Sequence, residues 1–192
     1  MIFKDFTKSI NEKILLDKKI IDLSDEVLLC IKKIYKTIKK SGKIFICGNG
    51  GSAADAQHLA AEFMIRLRPN VNREAFPVIS LALDTSTITA CGNDLGFEKI
   101  FARNLSALGS KKDLLIAIST TGKSKNIINV LKYAKKKKIS SLSFLGGNGG
   151  LAKKLSDLNV IVPSFSTARI QEIHIFLGHF IFEQVEKLLI KK

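Results

Sequence analysis

The sequence predicts an α/β protein in which five parallel strands form a sheet that is covered by helices on both faces. Short apolar segments of strand length alternate with longer segments whose apolar residues recur every three or four positions. This alternation requires crossover connections, which make neighbouring strands parallel and place helices on both faces. The chain has 192 residues, 46% of them hydrophobic, so we expect one domain over residues 1–192 with a substantial core.

Residues 1–40 are predicted to form helices that precede the sheet. Their apolar residues recur at helical spacing on either side of a break at residues 22–25. Within the break, Ser24 is the expected N-cap of the second helix. The apolar stripes of these helices need cover, either from the rest of the domain or from another subunit.

Residues 41–192 are predicted to form the αβ core and a long C-terminal helix. The predicted strands are 43–47, 77–83, 113–118, 140–145 and 159–162. The predicted helices begin at Ser52 and cover 97–108, 126–138 and 168–192, with a short helix after the glycine turn 146–150. Residues 84–88 and 91–96 are polar or contain glycine, and we expect a loop there.

The turn after the first strand is a candidate anion-binding site. Gly48-Asn49-Gly50-Gly51 leads into a helix that begins at Ser52. Such a turn offers free backbone N–H groups and the positive end of the helix dipole, which suit a phosphate. Further along that helix, His58 and Glu62 are four residues apart and share one face. Taken alone, the turn also suits simple packing, and the pair also suits a solvated surface.

One nucleotide-binding motif is disfavoured and another is ruled out. Residues 48–53 fit the relaxed dinucleotide fingerprint, but the acidic residue expected about 20 positions later falls in Arg68-Pro69-Asn70. Gly122-Lys123-Ser124 resembles the end of a P-loop, yet the glycine required five residues before Gly122 is Ala117. We therefore expect no nucleotide cofactor.

A second polar loop follows the third strand. Ser119, Thr120, Thr121 and Ser124 supply four hydroxyl groups around Gly122. Hydroxyls and N–H groups at a helix start can bind a phosphate monoester, or they can simply cap the next helix. Ligands of parallel α/β sheets bind beyond the carboxyl ends of the strands, where both polar loops lie.

The composition indicates a basic protein without a nucleic-acid surface. The net charge of +14 arises because 31 Lys and Arg residues oppose 17 Asp and Glu residues. The lysines cluster at helix ends without interleaved aromatic residues, so nucleic acid is an unlikely partner. Cys30, Cys47 and Cys91 are odd in number and contain no CxxC motif, which is typical of reduced thiols. Without a signal peptide or a membrane-length apolar stretch, we expect a cytoplasmic protein with no membrane contact.

The last predicted helix contains two histidines with different orientations. His174 and His179 are five residues apart, so their side chains point about 140° away from each other. One of them is therefore expected in the core or an interface, and the sequence leaves open which one. Gln171 lies on the same helix, eight residues before His179 and about 12 Å away along its axis.

Six motifs, in this order along nearly the whole chain, closely resemble the phosphoheptose isomerases of the sugar-isomerase (SIS) domain superfamily. They are 47–52, His58 with Glu62, 83–86, 92–94, 119–124, and 169–174 with His179. The resemblance implies a three-layer, SIS-type, flavodoxin-like fold. It also implies aldose–ketose isomerisation of sedoheptulose 7-phosphate to D-glycero-D-manno-heptose 7-phosphate through an enediol. That reaction is the first step of ADP- or GDP-heptose biosynthesis for lipopolysaccharide or capsule.

The same resemblance implies site residues, a cofactor and an assembly. It places the catalytic acid–base pair on Glu62 and His179, and the ligands of one zinc ion per subunit on His58, Glu62, Gln171 and His179. It places the sugar-phosphate contacts on Asn49, Gly50, Gly51, Ser52, Glu62, Asn93, Asp94, Ser119, Thr120, Thr121, Ser124 and Gln171. The implied assembly is a homotetramer with active sites at its interfaces. Gln171 and His179 must then lean towards each other or belong to different subunits.

A non-enzymatic interpretation competes with this one. Some SIS-domain proteins are regulatory, either binding sugar phosphates or associating with the bacterial replication initiator. Glu62 argues against that role here, because a binding module needs no base beside His58. Another aldose–ketose isomerase on the same fold is the remaining alternative.

Overall fold

Seven α-helices and five strands lie within residues 2–82 and 84–191, which are the part of the chain that this computed structural model describes. The strands are β1 (Ile44–Cys47), β2 (Val78–Ser80), β3 (Leu114–Ser119), β4 (Ser140–Gly146) and β5 (Leu158–Val162). The helices are α1 (Ile2–Lys19), α2 (Ser24–Lys39), α3 (Gly51–Met64), α4 (Thr85–Asp94), α5 (Ile100–Leu108), α6 (Lys125–Lys137) and α7 (Thr167–Ile190). Short 3-10 helices occupy Ile20–Leu23, Phe97–Lys99 and Ala152–Lys154.

The five strands form one parallel sheet in the order β2-β1-β3-β4-β5, which confirms the predicted architecture. In the register of β1 and β3, Ile46 lies opposite Ile116 and Cys47 opposite Ala117. The strand order reverses between β1 and β3, which makes their carboxyl ends a topological switch point of the flavodoxin-like type. Ligands bind at such points, so the two polar loops lie where the fold favours a site.

Successive side chains of each strand point to opposite faces of the sheet and build a core on each face. In β1, Ile44 and Ile46 pack with α2, α3 and α7, whereas Phe45 and Cys47 pack with α4, α5 and α6. All four side chains are fully buried. The protein therefore has three layers, with α3 and α7 together on one face.

Residues 84–94 differ from the expectation of a loop, which was wrong. Asp84 is the N-cap of α4: its side chain accepts a hydrogen bond from the Thr87 backbone N–H at 2.8 Å and another from the Thr87 hydroxyl at 2.7 Å. Ile88 and Cys91 supply the apolar face that packs on the core. The sequence pattern did not predict this helix because polar residues surround the cap and two apolar residues face the core. Leu83, which was expected to end the second strand, lies outside the described residues.

The break between the first two helices was predicted at the right place, but the role of Ser24 was wrong. Ser24 is already helical, and its hydroxyl donates to the carbonyl of Ile21 instead of accepting a helix N–H. Leu23 occupies the N-cap position without a side-chain cap. The 3-10 segment leads directly into α2, so Ser24 does not act as an N-cap.

Helix α1 leaves most of its apolar residues exposed. Leu16 is its single buried residue, whereas Phe3 and Phe6 are 79% and 63% exposed. Its end borders an apolar groove of about 580 Å³ that Val27 and Phe180 also line. The domain body therefore covers α2 but leaves α1 largely uncovered. Among the residues that the structure describes, no helix combines the length and apolar character needed to cross a bilayer.

Candidate active site

A small polar cavity lies between the loops after β1 and β3 and the start of α7. Its volume is about 60 Å³. Its small size and polar lining suit an anionic group such as a phosphate. Six predicted substrate-binding residues and one further residue line it: Asn49, Ser52, Ser119, Thr120, Ser124 and Gln171, with Ile118. The structure thus brings together polar groups from three separate segments.

The glycines after β1 shape this cavity in two ways. Gly50 has φ +55° and ψ −122°, a conformation that side-chain-bearing residues rarely adopt. A Cβ atom on Gly51 would lie 2.7 Å from Nε2 of Gln171. Gly50 therefore makes the turn possible, and Gly51 lets the amide of α7 approach the start of α3.

Asn126 holds the two polar loops together, although no sequence pattern pointed to it. Its side-chain amide exchanges two hydrogen bonds with that of Asn49, at 2.9 and 2.7 Å, and it is 2% exposed. Its Oδ1 also accepts from the backbone N–H of Ile127. Asn126 carries a capping-type side chain at a helix start, but nothing in the sequence links it to a residue 77 positions earlier.

A second cluster, formed by His58, Glu62 and His179, lies between α3 and α7. The Nε2 atoms of the two histidines are 3.0 Å apart. Glu62 Oε1 lies 3.2 Å from His58 Nε2, and its Oε2 lies 3.4 Å from His179 Nε2. All three donor atoms lie within 4.8 Å of one another. Residues that are distant in sequence thus form one group that can transfer protons or bind a cation.

The donor atoms of this cluster fit a divalent metal ion. Oε2 of Glu62 is buried and accepts no hydrogen bond from any residue that the structure describes, although it faces His179. Two imidazole nitrogens at 3.0 Å share at most one proton, so a cation would satisfy lone pairs that are otherwise crowded. Two histidines and a glutamate are a known zinc donor set. Three of the four predicted ligands therefore converge, while Gln171 lines the polar cavity and stays a predicted ligand.

The structure separates the two histidines of α7. His174 is fully buried, packs against Phe144 and contacts the carbonyl oxygen of Leu145 through Nε2 at 3.1 Å. Burial lowers the pKa of His174 to about 4, which keeps the ring neutral, although the Leu145 carbonyl acts in the opposite direction. His174 is therefore the core histidine, and His179 belongs to the site.

Asp55 is a further polar group beside the cluster that sequence reasoning missed. It lies on α3 three residues before His58, and its Oδ2 atom is buried without a hydrogen-bond partner among residues 2–82 and 84–191. Partial burial raises the pKa of Asp55, and the nearby His58 and His179 act in the opposite direction. The spacing of Asp55, His58 and Glu62 along one helix face was the available signal.

Six predicted substrate contacts lie outside the cavity lining: Gly50, Gly51 and Glu62, described above, and Asn93, Asp94 and Thr121. Asn93 and Asp94 are exposed in the last turn of α4, where the Asn93 amide donates to Asp94 at 2.8 Å. Thr121 is also exposed, and its hydroxyl accepts from the backbone N–H of Lys123. Their contact with substrate stays a prediction.

Comparison with known proteins gives the same family as the motifs. The SIS domain family matches residues 6–146. Phosphoheptose isomerase of Chlorobaculum tepidum is 49% identical over 167 residues, covering 86% of this chain and 80% of that protein. Phosphoheptose isomerase 1 of Campylobacter jejuni is 49% identical over 160 residues, covering 83% and 82%. The structure of phosphoheptose isomerase GmhA from Neisseria gonorrhoeae superposes with a TM-score of 0.91 at 33% identity, covering 97% of this chain and all of that one. The chain belongs to the SIS domain family and, within it, to the phosphoheptose isomerases.

Proposed function

We propose that Glu62 and His179 carry the proton transfers by which this phosphoheptose isomerase converts sedoheptulose 7-phosphate to D-glycero-D-manno-heptose 7-phosphate. The observation that supports these roles most strongly is the approach of a partly buried carboxylate to an imidazole at 3.4 Å, on the two helices, α3 and α7, that also contribute Ser52 and Gln171 to the polar cavity. Aldose–ketose isomerisation needs a base at carbon, an acid at oxygen and a group that anchors the substrate.

The polar cavity is proposed to hold the phosphate. The N-terminus of α3 and the hydroxyls of Ser119 and Ser124 offer donors suited to a dianion. Ser124 is the N-cap of α6, yet its side chain makes no capping hydrogen bond within the described part of the chain, so its hydroxyl can donate to a ligand. Binding energy at the phosphate then positions the reacting carbons at the other end of the sugar.

The proton transfers follow from the chemistry of the pair. Glu62 removes the proton from the carbon next to the carbonyl, and the C–H electron pair becomes the double bond of the enediol. His179 gives a proton to the carbonyl oxygen in the same step. Glu62 then returns its proton to the adjacent carbon, while His179 takes the proton of the neighbouring hydroxyl, which becomes the new carbonyl group. Atoms and charge balance without a redox cofactor.

We also propose that His58, Glu62 and His179, with Gln171, hold one zinc ion per subunit. When bound, zinc supplies a Lewis acid that polarises a carbonyl group. The unpartnered Glu62 oxygen and the close histidine nitrogens support this assignment. A carboxylate that binds a metal is a weaker base, and an imidazole nitrogen that binds a metal carries no proton, so metal binding and proton transfer compete at both Glu62 and His179.

The whole chain, residues 1–192, is proposed to be a single SIS domain that assembles as a cytoplasmic homotetramer with active sites at its interfaces. The exposed apolar face of α1 supports an assembly that covers it. The openness of the site supports a contribution from a neighbour, because His58 and His179 are 53% and 42% exposed. The product would then enter nucleotide-heptose biosynthesis for lipopolysaccharide or capsule.

The decisive test is isomerisation of sedoheptulose 7-phosphate in heavy water, with wild type beside Glu62→Gln. Wild type should place deuterium on the carbon that receives the proton. The variant should lose turnover by about 10²- to 10⁴-fold and keep its affinity for sugar phosphate, because general-base catalysis is worth that factor. Equal turnover of both proteins would refute the role of Glu62. A wild type that binds sugar phosphate without turnover would instead indicate a regulatory binding protein.

A further inference from the structure

A buried ion cluster connects the segment that follows α3 to the C-terminal part of α7. Glu186 of α7 is fully buried, and its two carboxylate oxygens accept from the Nε atoms of Arg73 at 2.5 Å and Arg68 at 2.6 Å. Burial of charged groups is costly even when they are paired, so such a cluster calls for a structural or functional reason.

Besides Glu186, Arg73 has two further contacts that Arg68 does not make among the described residues. Its Nη2 atom donates to the backbone carbonyl oxygen of Glu62 at 3.0 Å, and Nη1 donates to the carbonyl of Glu74 at 2.9 Å. Backbone carbonyls in the last turn of a helix accept no hydrogen bond from an N–H group of the same helix, so a side chain can bind them. A basic side chain there also complements the helix dipole. One guanidinium group thus connects the backbone of Glu62 to the carboxylate of Glu186.

Aromatic rings fix the plane of this guanidinium group. It lies 4.5 Å from the centroid of Phe76 and 5.5 Å from that of Phe63, and the Arg73 side chain is 3% exposed. Phe63 in turn packs edge-on against Phe182 of α7 at 4.4 Å. Arg73 therefore has little freedom to relax if either helix shifts.

The geometry of α7 connects this cluster to the reacting pair. Glu186 follows His179 by seven residues, which is about 20° short of two helical turns, so both side chains lie on the same face of α7. Gly178, which directly precedes His179, allows α7 to pack closely against α3, because a Cβ atom there would lie 2.6 Å from Leu59. The two helices therefore touch at Gly178. Arg73 connects them a second time, through the backbone of Glu62, whose side chain faces His179.

We propose that Arg73 is a positioning residue that sets the separation of Glu62 and His179 by fastening the C-terminal turn of α3 to α7. This inference rests on the proposed roles of that pair. A misplacement of about 1 Å can cost roughly 10²-fold in rate, so the fastening acts on the chemical step and not on substrate binding.

Arg68→Met is the matched control for Arg73→Met. Both variants remove one of the two cations on Glu186, but only Arg73→Met releases the Glu62 carbonyl. Arg73→Lys keeps a cation beside Glu186 but cannot reproduce the planar fork that reaches both oxygens, and it serves if the methionine variant fails to fold. The readouts are kcat, KM, melting temperature and the affinity of the folded protein for Co²⁺.

We expect Arg73→Met and Arg73→Lys to lower kcat by about 10²-fold while KM changes less than about 3-fold. Co²⁺ affinity should fall by about 10-fold in both, since positions of the ligands are disturbed. Arg68→Met should lower the melting temperature with kcat and Co²⁺ affinity within about 3-fold of wild type. Equal losses in the Arg68 and Arg73 variants, or a wild-type kcat in Arg73→Lys, would overturn the proposal.

The cobalt measurement separates this proposal from the proposed function. A wild type without isomerase turnover would refute the catalytic roles of Glu62 and His179. Even then, a Co²⁺ affinity that falls in the Arg73 variants but not in Arg68→Met would show that Arg73 sets the geometry of the His58, Glu62 and His179 cluster.

Discussion

The two halves of the candidate site are built by different means. The polar cavity is formed by loops at the carboxyl ends of β1 and β3, where backbone groups and short hydroxyl side chains converge. The cluster of His58, Glu62 and His179 instead depends on side chains of two helices, with His58 and His179 separated by 121 positions in sequence. The topology of the sheet places most of the first half, and the start of α7 adds Gln171. The second half requires an accurate distance between α3 and α7.

This difference predicts that the halves can be damaged separately. Changes in the cavity should weaken substrate binding, and changes between the helices should slow the chemical step. Substitutions at His179, His174 and Gly50 test this comparison, in order of decreasing expected effect.

His179→Asn should slow turnover by about 10²- to 10⁴-fold, equivalent to about 3–5 kcal/mol in the barrier, because the acid for the carbonyl oxygen is lost. Affinity for sugar phosphate, measured by calorimetry, should stay close to that of wild type, since His179 is absent from the cavity lining. A large loss of affinity would mean that the two halves cannot be separated.

His174 connects α7 to β4 between the two halves, and it should make stability depend on pH. Its pKa is about 4 in the folded chain against an ordinary 6.5. Between these values the unfolded chain binds a proton that the folded chain does not, so stability is full above pH 6.5 and falls towards pH 4. From pH 7 to pH 5 the loss in the free energy of unfolding should be about 2 kcal/mol.

The matched variant for that measurement is His174→Gln, whose amide can still donate to the Leu145 carbonyl. Urea unfolding of both proteins should show a smaller loss in the variant over the same pH interval, by about 2 kcal/mol. Parallel pH dependences would show that other groups cause the acid sensitivity.

Gly50→Ala should affect the cavity alone. A Cβ at Gly50 meets no atom within 4 Å, so the cost arises from its φ of +55°. If the free enzyme relaxes this strain by moving the turn out of its binding conformation, restoring that conformation at a cost of about 1.4 kcal/mol should raise KM about tenfold with kcat nearly unchanged. Gly92→Ala is the control, because that helical position has equal space and needs no positive φ. A drop in kcat without a change in KM for Gly50→Ala would contradict the separation.

The sequence was sufficient for the sheet and for the cavity because both depend on local patterns. Apolar strand segments and glycine or hydroxyl turns are continuous in the chain, and parallel topology then brings strand ends together. Helix α4 was missed because Asp84 was assigned to a polar loop and not to an N-cap. The same kind of local information identified His58 and Glu62 as neighbours.

Contacts between distant side chains could not be predicted in the same way. The pairing of Arg73 with Glu186 spans 113 positions, and that of Asn49 with Asn126 spans 77. Neither pair has a spacing that a helix or strand period would reveal, because helix packing decides which residues meet. The same packing decided that His174, and not His179, belongs to the core.

The buried cysteines can report when the folded protein opens to solvent. Cys47 ends β1 directly before the glycine turn and is fully buried, as is Cys30 on α2. Burial raises the pKa of both thiols, that of Cys30 to about 12 with a further contribution from Glu26, so neither is a reactive thiolate in the closed protein. Alkylation of Cys47 therefore requires that the carboxyl end of β1 open to solvent. Its rate would report how often the sheet opens beside the proposed phosphate-binding turn.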